Sequence, residues 1–294
     1  DSAVYRITGV LSVIGGWFLT AIIAFSSSFV IAYLLHLDLL ISIPVALLVA
    51  FVIYHTHVIH KTRVKSQKEV EFANLKKIED PEFAINTSFD NAGKYLHKIN
   101  DTIGKGYDGI FNEKLFLLSK CKKEVKTIQD IANIIVANIF KTLRLLAKLK
   151  IKRSEHYGDT IIVIQSIAEN LRDIIMRSYY HVNNNHSGLL PVQIDELKKV
   201  KDVIQYILEK SGDALKKRDF SNIEAIKEKV DELDQLAALL DNNQLERIQD
   251  RTSKTRLSIL FYGFISSTKA IAQNCLQLVD IFKISLANKN NNKS

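Results

Sequence analysis

Two long apolar runs near the start of the chain constrain its fold more than any other feature. The first extends from Ile7 to Leu35 and exceeds the ~20 residues that a helix needs to cross a bilayer. A short polar break that contains Asp38 separates it from a second run, Leu39 to Ile59. Apart from Arg6 and Asp38, residues 4–59 contain no Asp, Glu, Lys or Arg. The pattern predicts a two-helix transmembrane hairpin, and the alternative is a hairpin buried in the core of a soluble protein.

Basic residues around the hairpin predict its orientation. Arg6 precedes the first run, and the loop between the runs carries only the acidic Asp38. Four basic residues follow the second run: Lys61, Arg63, Lys65 and Lys68. Because cytoplasmic loops of membrane proteins carry an excess of Lys and Arg, both outer ends of the hairpin are expected in the cytoplasm. We therefore expect a multi-pass protein of the inner cell membrane whose C-terminal part is cytoplasmic.

After the hairpin, residues 1–60, the chain becomes charged and helical. Its 294 residues include only 3 prolines and 11 glycines, and apolar residues recur with the period of an α-helix. The predicted fold class is therefore all-α. We expect a connector at residues 61–86 and a disordered polar tail at residues 289–294. Between them we expect six helices, at about Thr87–Ile103, Glu113–Ile151, Glu155–Asn183, Pro191–Lys217, Ser221–Gln249 and Thr255–Asn288.

Two local signals concern the boundaries of these helices. Gly104, Gly106 and Gly109 form a GxGxxG pattern, which in dinucleotide-binding proteins follows a strand. Here an amphipathic helix precedes it, so the glycines are interpreted as turn residues between two helices. Ser221 and Glu224 have the spacing of a capping box and predict the start of a helix.

A short internal repeat divides the helical part. The sequence SIAENL, Ser166–Leu171, aligns without gaps with AIAQNC, Ala270–Cys275, at an offset of 104 residues. Both segments lie on the third helix of a set of three, and both follow a long charged helix. The simplest account is a bundle over residues 87–288, made of two three-helix units at about residues 87–188 and 189–288.

This architecture, together with Glu169 and Asp173 on a late helix of the first unit, resembles PhoU-type domains. Those domains are tandem three-helix bundles that carry E/DxxxD motifs, bind metal clusters and regulate phosphate uptake. The resemblance implies a divalent or transition metal at Glu169 and Asp173, whose carboxylates share one helix face. A solvated helix face is the alternative, and in the second unit Gln273 and Gln277 replace the two acids.

Four residues of the first apolar run, Gly15, Gly16, Trp17 and Thr20, resemble the last part of the PiT inorganic phosphate transporters, where a W-x-x-T element lies in a late transmembrane helix. A glycine costs about 1 kcal/mol inside a helix in water, whereas in lipid it lets helices pack closely. The resemblance covers about the first 60 residues. It implies transporter helices and a substrate site upstream of this chain, and a coupling cation, sodium or proton.

Together the two resemblances imply the C-terminal part of a cation-coupled inorganic phosphate transporter, fused to a PhoU-like regulatory domain. The expected partners are inorganic phosphate, the lipid bilayer, the upstream helices and a second copy of the chain. The sequence shows no nucleophile–base pair and no Gly-rich loop after a strand, so we expect neither an enzyme nor a required cofactor. The alternative is a membrane-anchored helical signalling or scaffold protein without transport activity.

A basic segment in the first unit is the remaining candidate site. It holds six positive charges and no acid: Lys141, Arg144, Lys148, Lys150, Lys152 and Arg153. Beneath a membrane such residues are attracted to anionic lipid by about 1 kcal/mol each. Phosphate or a nucleotide is a second interpretation, and a solvated helix end is a third. Because aromatic residues do not alternate with the basic ones, nucleic acid is not an expected partner.

Overall fold

The first apolar run forms one continuous helix. A computed structural model describes residues 2–36, 43–44, 47–51, 53–56, 81–148 and 157–290. Helix α1 spans Ser2–His36 and passes without a break through Gly15 and Gly16. Its segment Trp17–Leu34, with a mean hydropathy of 1.9, is the one helix of the described residues that is apolar and long enough to cross a membrane.

The side chains of α1 suit a nonpolar environment. Trp17 exposes 76% of its surface within the chain, and neighbouring apolar residues are exposed as well. The hydroxyl of Ser27 donates a hydrogen bond of 2.7 Å to the carbonyl oxygen of Ile23, one turn earlier. Because this bond satisfies the hydroxyl within its own helix, the serine is compatible with lipid.

The second apolar run is described in part. Residues 43–44, 47–51 and 53–56 are helical, and the segment Leu47–Thr56 is apolar but shorter than a membrane span. The rest of the predicted second helix and residues 61–80 of the predicted connector lie outside the described residues. The two-helix hairpin therefore stays a prediction.

The remaining helices form the charged part of the chain. The chain divides into two compact parts, Asp1–Lys68 and Glu69–Ser294, and six helices of the described residues lie in the second part. They are α2 (Pro81–Phe111), α3 (Leu115–Lys148), α4 (Tyr157–Asn183), α5 (Pro191–Lys217), α6 (Ile223–Gln249) and α7 (Thr255–Asn290). The described residues contain helices and turns and no strand, which confirms the all-α fold class.

Helix α2 is longer at both ends than the sequence predicted. It begins at Pro81, where the fixed φ and missing N–H of proline suit a first turn, and it ends at Phe111. The three glycines of the GxGxxG segment therefore lie inside the helix, and their interpretation as turn residues is wrong. All three lie where neighbouring side chains pack closely: a Cβ atom at Gly104, for example, would lie 2.6 Å from Nε2 of Gln205 in α5.

The start of α6 also differs from the prediction. The helix begins at Ile223, and its N-cap residue, Asn222, makes no side-chain capping hydrogen bond. The backbone N–H of Ser221 donates instead to Oδ1 of Asp219, at 3.0 Å. The predicted capping box is wrong because Ser221 lies one residue before the N-cap position and belongs to this preceding turn.

The two three-helix units, α2–α4 and α5–α7, join through equivalent helices, since α2 packs against α5 and α4 packs against α7. Contacts along α4 and α7 run antiparallel and pair Ser166 with Asn274, Asp173 with Ser267, and Arg177 with Gly263. Each pair lies equally far from Ala168 in α4 and from Ala272 in α7, and these two alanines are 104 residues apart. The register is the one that a two-fold relation between the repeats requires, and the tandem arrangement is confirmed.

Two buried tyrosines of α2 attach it to both of the paired helices. The hydroxyl of Tyr95 donates to the carbonyl oxygen of Ile164 in α4, at 2.7 Å. The hydroxyl of Tyr107 lies 2.6 Å from Oγ1 of Thr268 in α7. Because both side chains are almost fully buried, these bonds satisfy polar groups that would otherwise destabilise the core. They hold the α4–α7 pair in place.

Candidate functional site

The predicted acid pair lies on α4, at the contact with α7. Asp173 forms an ion pair with Arg177, one turn later, at 2.6 Å between Oδ2 and Nε, and it accepts a hydrogen bond of 3.2 Å from Oγ of Ser267. Glu169 is exposed. In the described part of the chain, no group of three or more His, Cys, Asp or Glu residues is arranged to hold a metal ion. The metal site at Glu169 and Asp173 stays a prediction, and any ion there has to compete with Arg177.

In the second three-helix unit, α5–α7, the equivalent surface already contains a positive charge. Gln273 stands in the position of Glu169 and donates to the carboxylate of Asp234, at 3.3 and 3.4 Å. The ammonium group of Lys269 forms an ion pair with the same carboxylate, at 3.3 Å. This lysine supplies the balancing charge for Asp234 that a bound cation would otherwise supply.

The basic segment is described only at its start. Lys141 and Arg144 are exposed in the last two turns of α3, and Lys148 is the last residue of that helix. Lys150, Lys152 and Arg153 lie outside the described residues.

The residues of the predicted transporter motif all lie on α1. Trp17 and Thr20 are one turn apart and exposed, so they share a helix face that other helices could cover. The packing of Gly15 and Gly16 against upstream helices stays a prediction.

A cleft that the sequence did not indicate lies where α4 ends and α7 begins. We refer to it as the histidine–arginine cleft. It has a volume of about 210 Å³ and is lined by residues that include Arg177, Tyr180, His181, His186, Arg256 and Ile259. It lies one helical turn from Asp173, the acid of the predicted pair that is bonded to Arg177.

The turn after α4 positions His186 in this cleft. The backbone N–H of His186 donates to the carbonyl oxygen of His181 at 3.2 Å, and that of Asn185 donates to Val182 at 3.0 Å. Asn185 has a φ of 51°, in the left-handed region, which asparagine adopts more readily than most residues. This arrangement places the rings of His181 and His186 in an edge contact, with 5.3 Å between centroids.

Neighbouring groups restrict the hydrogen-bonding roles of the two imidazoles. Nε2 of His181 lies 2.9 Å from the carbonyl oxygen of Ser187. Because a carbonyl only accepts, Nε2 carries a proton and donates. Nη1 of Arg256 lies 3.0 Å from Nε2 and 3.1 Å from Nδ1 of His186. A neutral imidazole has one acceptor nitrogen, so at most one of these contacts is a hydrogen bond, and a guanidinium, which only donates, favours the neutral ring. Desolvation, the positive charge of Arg256 and the neighbouring His181 together lower the pKa of His186.

A comparison with solved structures identifies a similar fold. The crystal structure of PhoU from Pseudomonas aeruginosa superposes with a TM-score of 0.60, over 71% of this chain and 99% of that chain, at 11% sequence identity. The chain contains a PhoU-like fold. No protein-family model and no curated protein sequence matches the chain. At this identity the PhoU likeness establishes the helical architecture, and the site residues have to be judged on their own chemistry.

The cleft could not be predicted from the sequence, because its residues come from two helices that are far apart in the chain. Arg177 and Arg256 have no spacing that marks a site, and the histidines alone fit a helix end equally well. The run of three asparagines before His186 was the one available signal, since such residues favour the left-handed turn that positions the ring.

Proposed function

We propose that the chain is the C-terminal part of a cation-coupled inorganic phosphate transporter of the inner membrane, and that its six-helix part is a cytoplasmic regulatory domain. The observation that carries this proposal is a PhoU-like fold, matched along nearly the whole PhoU chain, on the same polypeptide as a helix long and apolar enough to span a membrane. The resemblance of Trp17 and Thr20 to the PiT transporters supports it.

In this proposal the second apolar run completes a membrane hairpin, and helices upstream of Asp1 contain the phosphate path. The bundle docks on the inner face of the transporter and changes phosphate uptake in response to metal or phosphate. A metal at Glu169 and Asp173 is one input, and its binding requires Arg177 to leave Asp173. Sodium or protons are the proposed coupling ions, and assembly with a second copy of the chain is part of the proposal.

A membrane-anchored scaffold is the second candidate, because a single apolar helix also serves as an anchor. The two candidates differ in what happens when the gene is deleted. The transporter proposal predicts that cells lose a sodium- or proton-dependent component of phosphate uptake and that the complete gene restores it. Unchanged uptake of radioactive phosphate over the whole range of external concentrations would exclude the transporter and leave the scaffold.

A further inference from the structure

The histidine–arginine cleft concentrates positive charge that carboxylates of the described residues do not neutralise. Two cationic side chains line it, Arg177 on α4 and Arg256 in the first turn of α7. Lys254 comes just before α7 and lies outside the lining. Lys254 contacts a hydroxyl, with 3.4 Å between Nζ and Oγ of Ser187. Lys122 also lies outside the lining, with its ammonium group 4.1 Å from the centre of the Tyr179 ring and 5.3 Å from that of Tyr180.

The acids near the cleft do not balance these charges. Asp173 is bonded to Arg177 and so accounts for one positive charge. Glu113, in the turn between α2 and α3, lies so close to Gly188 that a Cβ atom there would overlap its carboxylate. Of the two cations that line the cleft, Arg177 is therefore paired with an acid, whereas among the described residues Arg256 forms no ion pair with Asp173 or Glu113.

The contact made by Arg256 is the main evidence that the cleft binds a ligand. A guanidinium has five N–H donors and usually pairs with a carboxylate or a phosphate. The side chain that Arg256 contacts is instead the ring of His186, whose pKa is lowered by desolvation and by the charge of Arg256. An oxyanion in the cleft would accept hydrogen bonds from Arg256, and its negative charge would offset the repulsion that disfavours a protonated His186.

The backbone at the start of α7 also favours an anion in the cleft. Helix α7 begins at Thr255, so its positive dipole end and its first N–H groups lie beside Arg256. The negative end of α4 is capped, because the N–H groups of Asn184, Asn185 and His186 donate to its last carbonyl groups. The N-terminal end of α7 therefore favours an anion, and the opposing end of α4 has part of its carbonyl groups satisfied by its own turn.

We propose that the histidine–arginine cleft binds an oxyanion of the phosphate class through Arg256 and His186. The ligand is either inorganic phosphate or the phosphoryl end of a small phosphate ester. Tyr180 and Ile259 form an apolar wall that could contact the organic part of an ester. As the input site of the regulatory domain the cleft rests on the proposed function, whereas the binding itself does not.

The test is isothermal titration calorimetry on the full chain in detergent micelles, with inorganic phosphate and glycerol 3-phosphate as separate probes at constant ionic strength. We expect at least one probe to bind to the unchanged chain, and the tighter one identifies the source of the phosphoryl group. Arg256→Gln should weaken binding about tenfold or more, because it removes a charge-assisted contact. His186→Gln should weaken it by a smaller factor.

Arg172→Gln is the matched control, because it removes one positive charge from α4 at an exposed position that does not line the cleft. Its affinity should equal that of the unchanged chain. The proposal is overturned if neither probe binds, or if Arg172→Gln and Arg256→Gln weaken binding equally, since this would show a response to total charge. Circular dichroism checks that each variant is folded. Absence of binding in this titration would not change the prediction that deletion of the gene lowers phosphate uptake, so each proposal can be refuted without the other.

Discussion

His186 gives the cleft a dependence on pH that follows from its neighbours. An unfolded histidine takes up a proton near its ordinary pKa of about 6.5, whereas the pKa of His186 in the folded chain is lowered. As the pH falls through this range, the unfolded chain therefore gains protons first, and the folded state loses stability. Arg177, His181 and Arg256 line the cleft with His186, and Lys254 and Glu113 lie beside the next two residues, Ser187 and Gly188.

We predict that His186→Gln reduces this loss. The urea midpoint of the unchanged chain should fall more steeply between pH 7 and pH 5 than that of the variant, because glutamine does not titrate. Both proteins keep Arg177, which lies in the same cleft, so its charge is the same in the two measurements. Parallel curves for the two proteins would show that His186 keeps its ordinary pKa.

A buried ion pair in the second three-helix unit, α5–α7, provides a second test at the scale of single residues. Glu196 accepts two hydrogen bonds from Arg247, at 2.8 and 3.0 Å, and only 10% and 13% of their side chains are exposed. Glu196→Ala leaves the guanidinium buried without its charge partner, so we expect a loss of about 3–5 kcal/mol in the free energy of unfolding.

Asp195→Ala, at the neighbouring exposed pair with Lys198, is the control and should cost less than about 1 kcal/mol. Chemical unfolding followed by circular dichroism measures both. A loss below 1 kcal/mol for Glu196→Ala would show that water reaches the pair and solvates Arg247.

At the scale of helices, glycine determines how closely α2 and α5 approach. A Cβ atom at Gly93 would lie 2.8 Å from the carbonyl oxygen of Gly212 and 3.1 Å from Cβ of Lys216. A backbone carbonyl cannot move aside as a flexible side chain can. We predict that Gly93→Ala lowers the free energy of unfolding by about 1–3 kcal/mol, in the range of other overpacked sites.

Gly158 provides the comparison, because a Cβ atom there meets nothing within 4 Å. Gly158→Ala should leave stability unchanged or raise it by up to about 1 kcal/mol, as alanine favours a helix. Thermal unfolding of the two variants side by side measures the difference. Equal effects would mean that the contact of α2 with α5 adjusts to the added methyl group.

The helices show which parts of the fold are predictable. The periodicity of apolar residues together with Pro191 predicted α5, which is observed at Pro191–Lys217. The repeat of SIAENL with AIAQNC predicted two three-helix units but did not indicate that α4 packs against α7. The GxGxxG segment misled because a glycine needed for a turn and one needed for close packing look the same in sequence. Only the partner, Gln205 on α5 for Gly104, distinguishes them.

The candidate sites were less predictable for a related reason. The spacing of Glu169 and Asp173 is visible in sequence, but the ion pair of Asp173 with Arg177 depends on which rotamers the packed helices allow. The contact of Arg256 with His186 spans 70 residues of chain, and no local pattern encodes it.

For the whole molecule, α1 should decide where the chain is located. Deletion of residues 2–36 removes the one described helix that is apolar enough to span a bilayer. We predict that the complete chain remains with membranes after extraction in alkaline carbonate, whereas the shortened chain is largely released. Six helices in a compact unit of their own should keep the shortened chain folded, as its circular dichroism would show. Release of the complete chain by carbonate would contradict a membrane-spanning role for α1.

The measurement that tests the central claim most directly is the initial rate of phosphate uptake in cells whose gene lacks the codons for residues 81–290. Rates are compared with those of the complete gene at low and high external phosphate, with equal amounts of protein in the membrane. If the PhoU-like domain regulates transport, uptake by the complete protein is restrained at high phosphate, and the shortened protein loses that restraint while transport itself continues. Identical uptake curves for the two proteins would contradict a regulatory role for the domain.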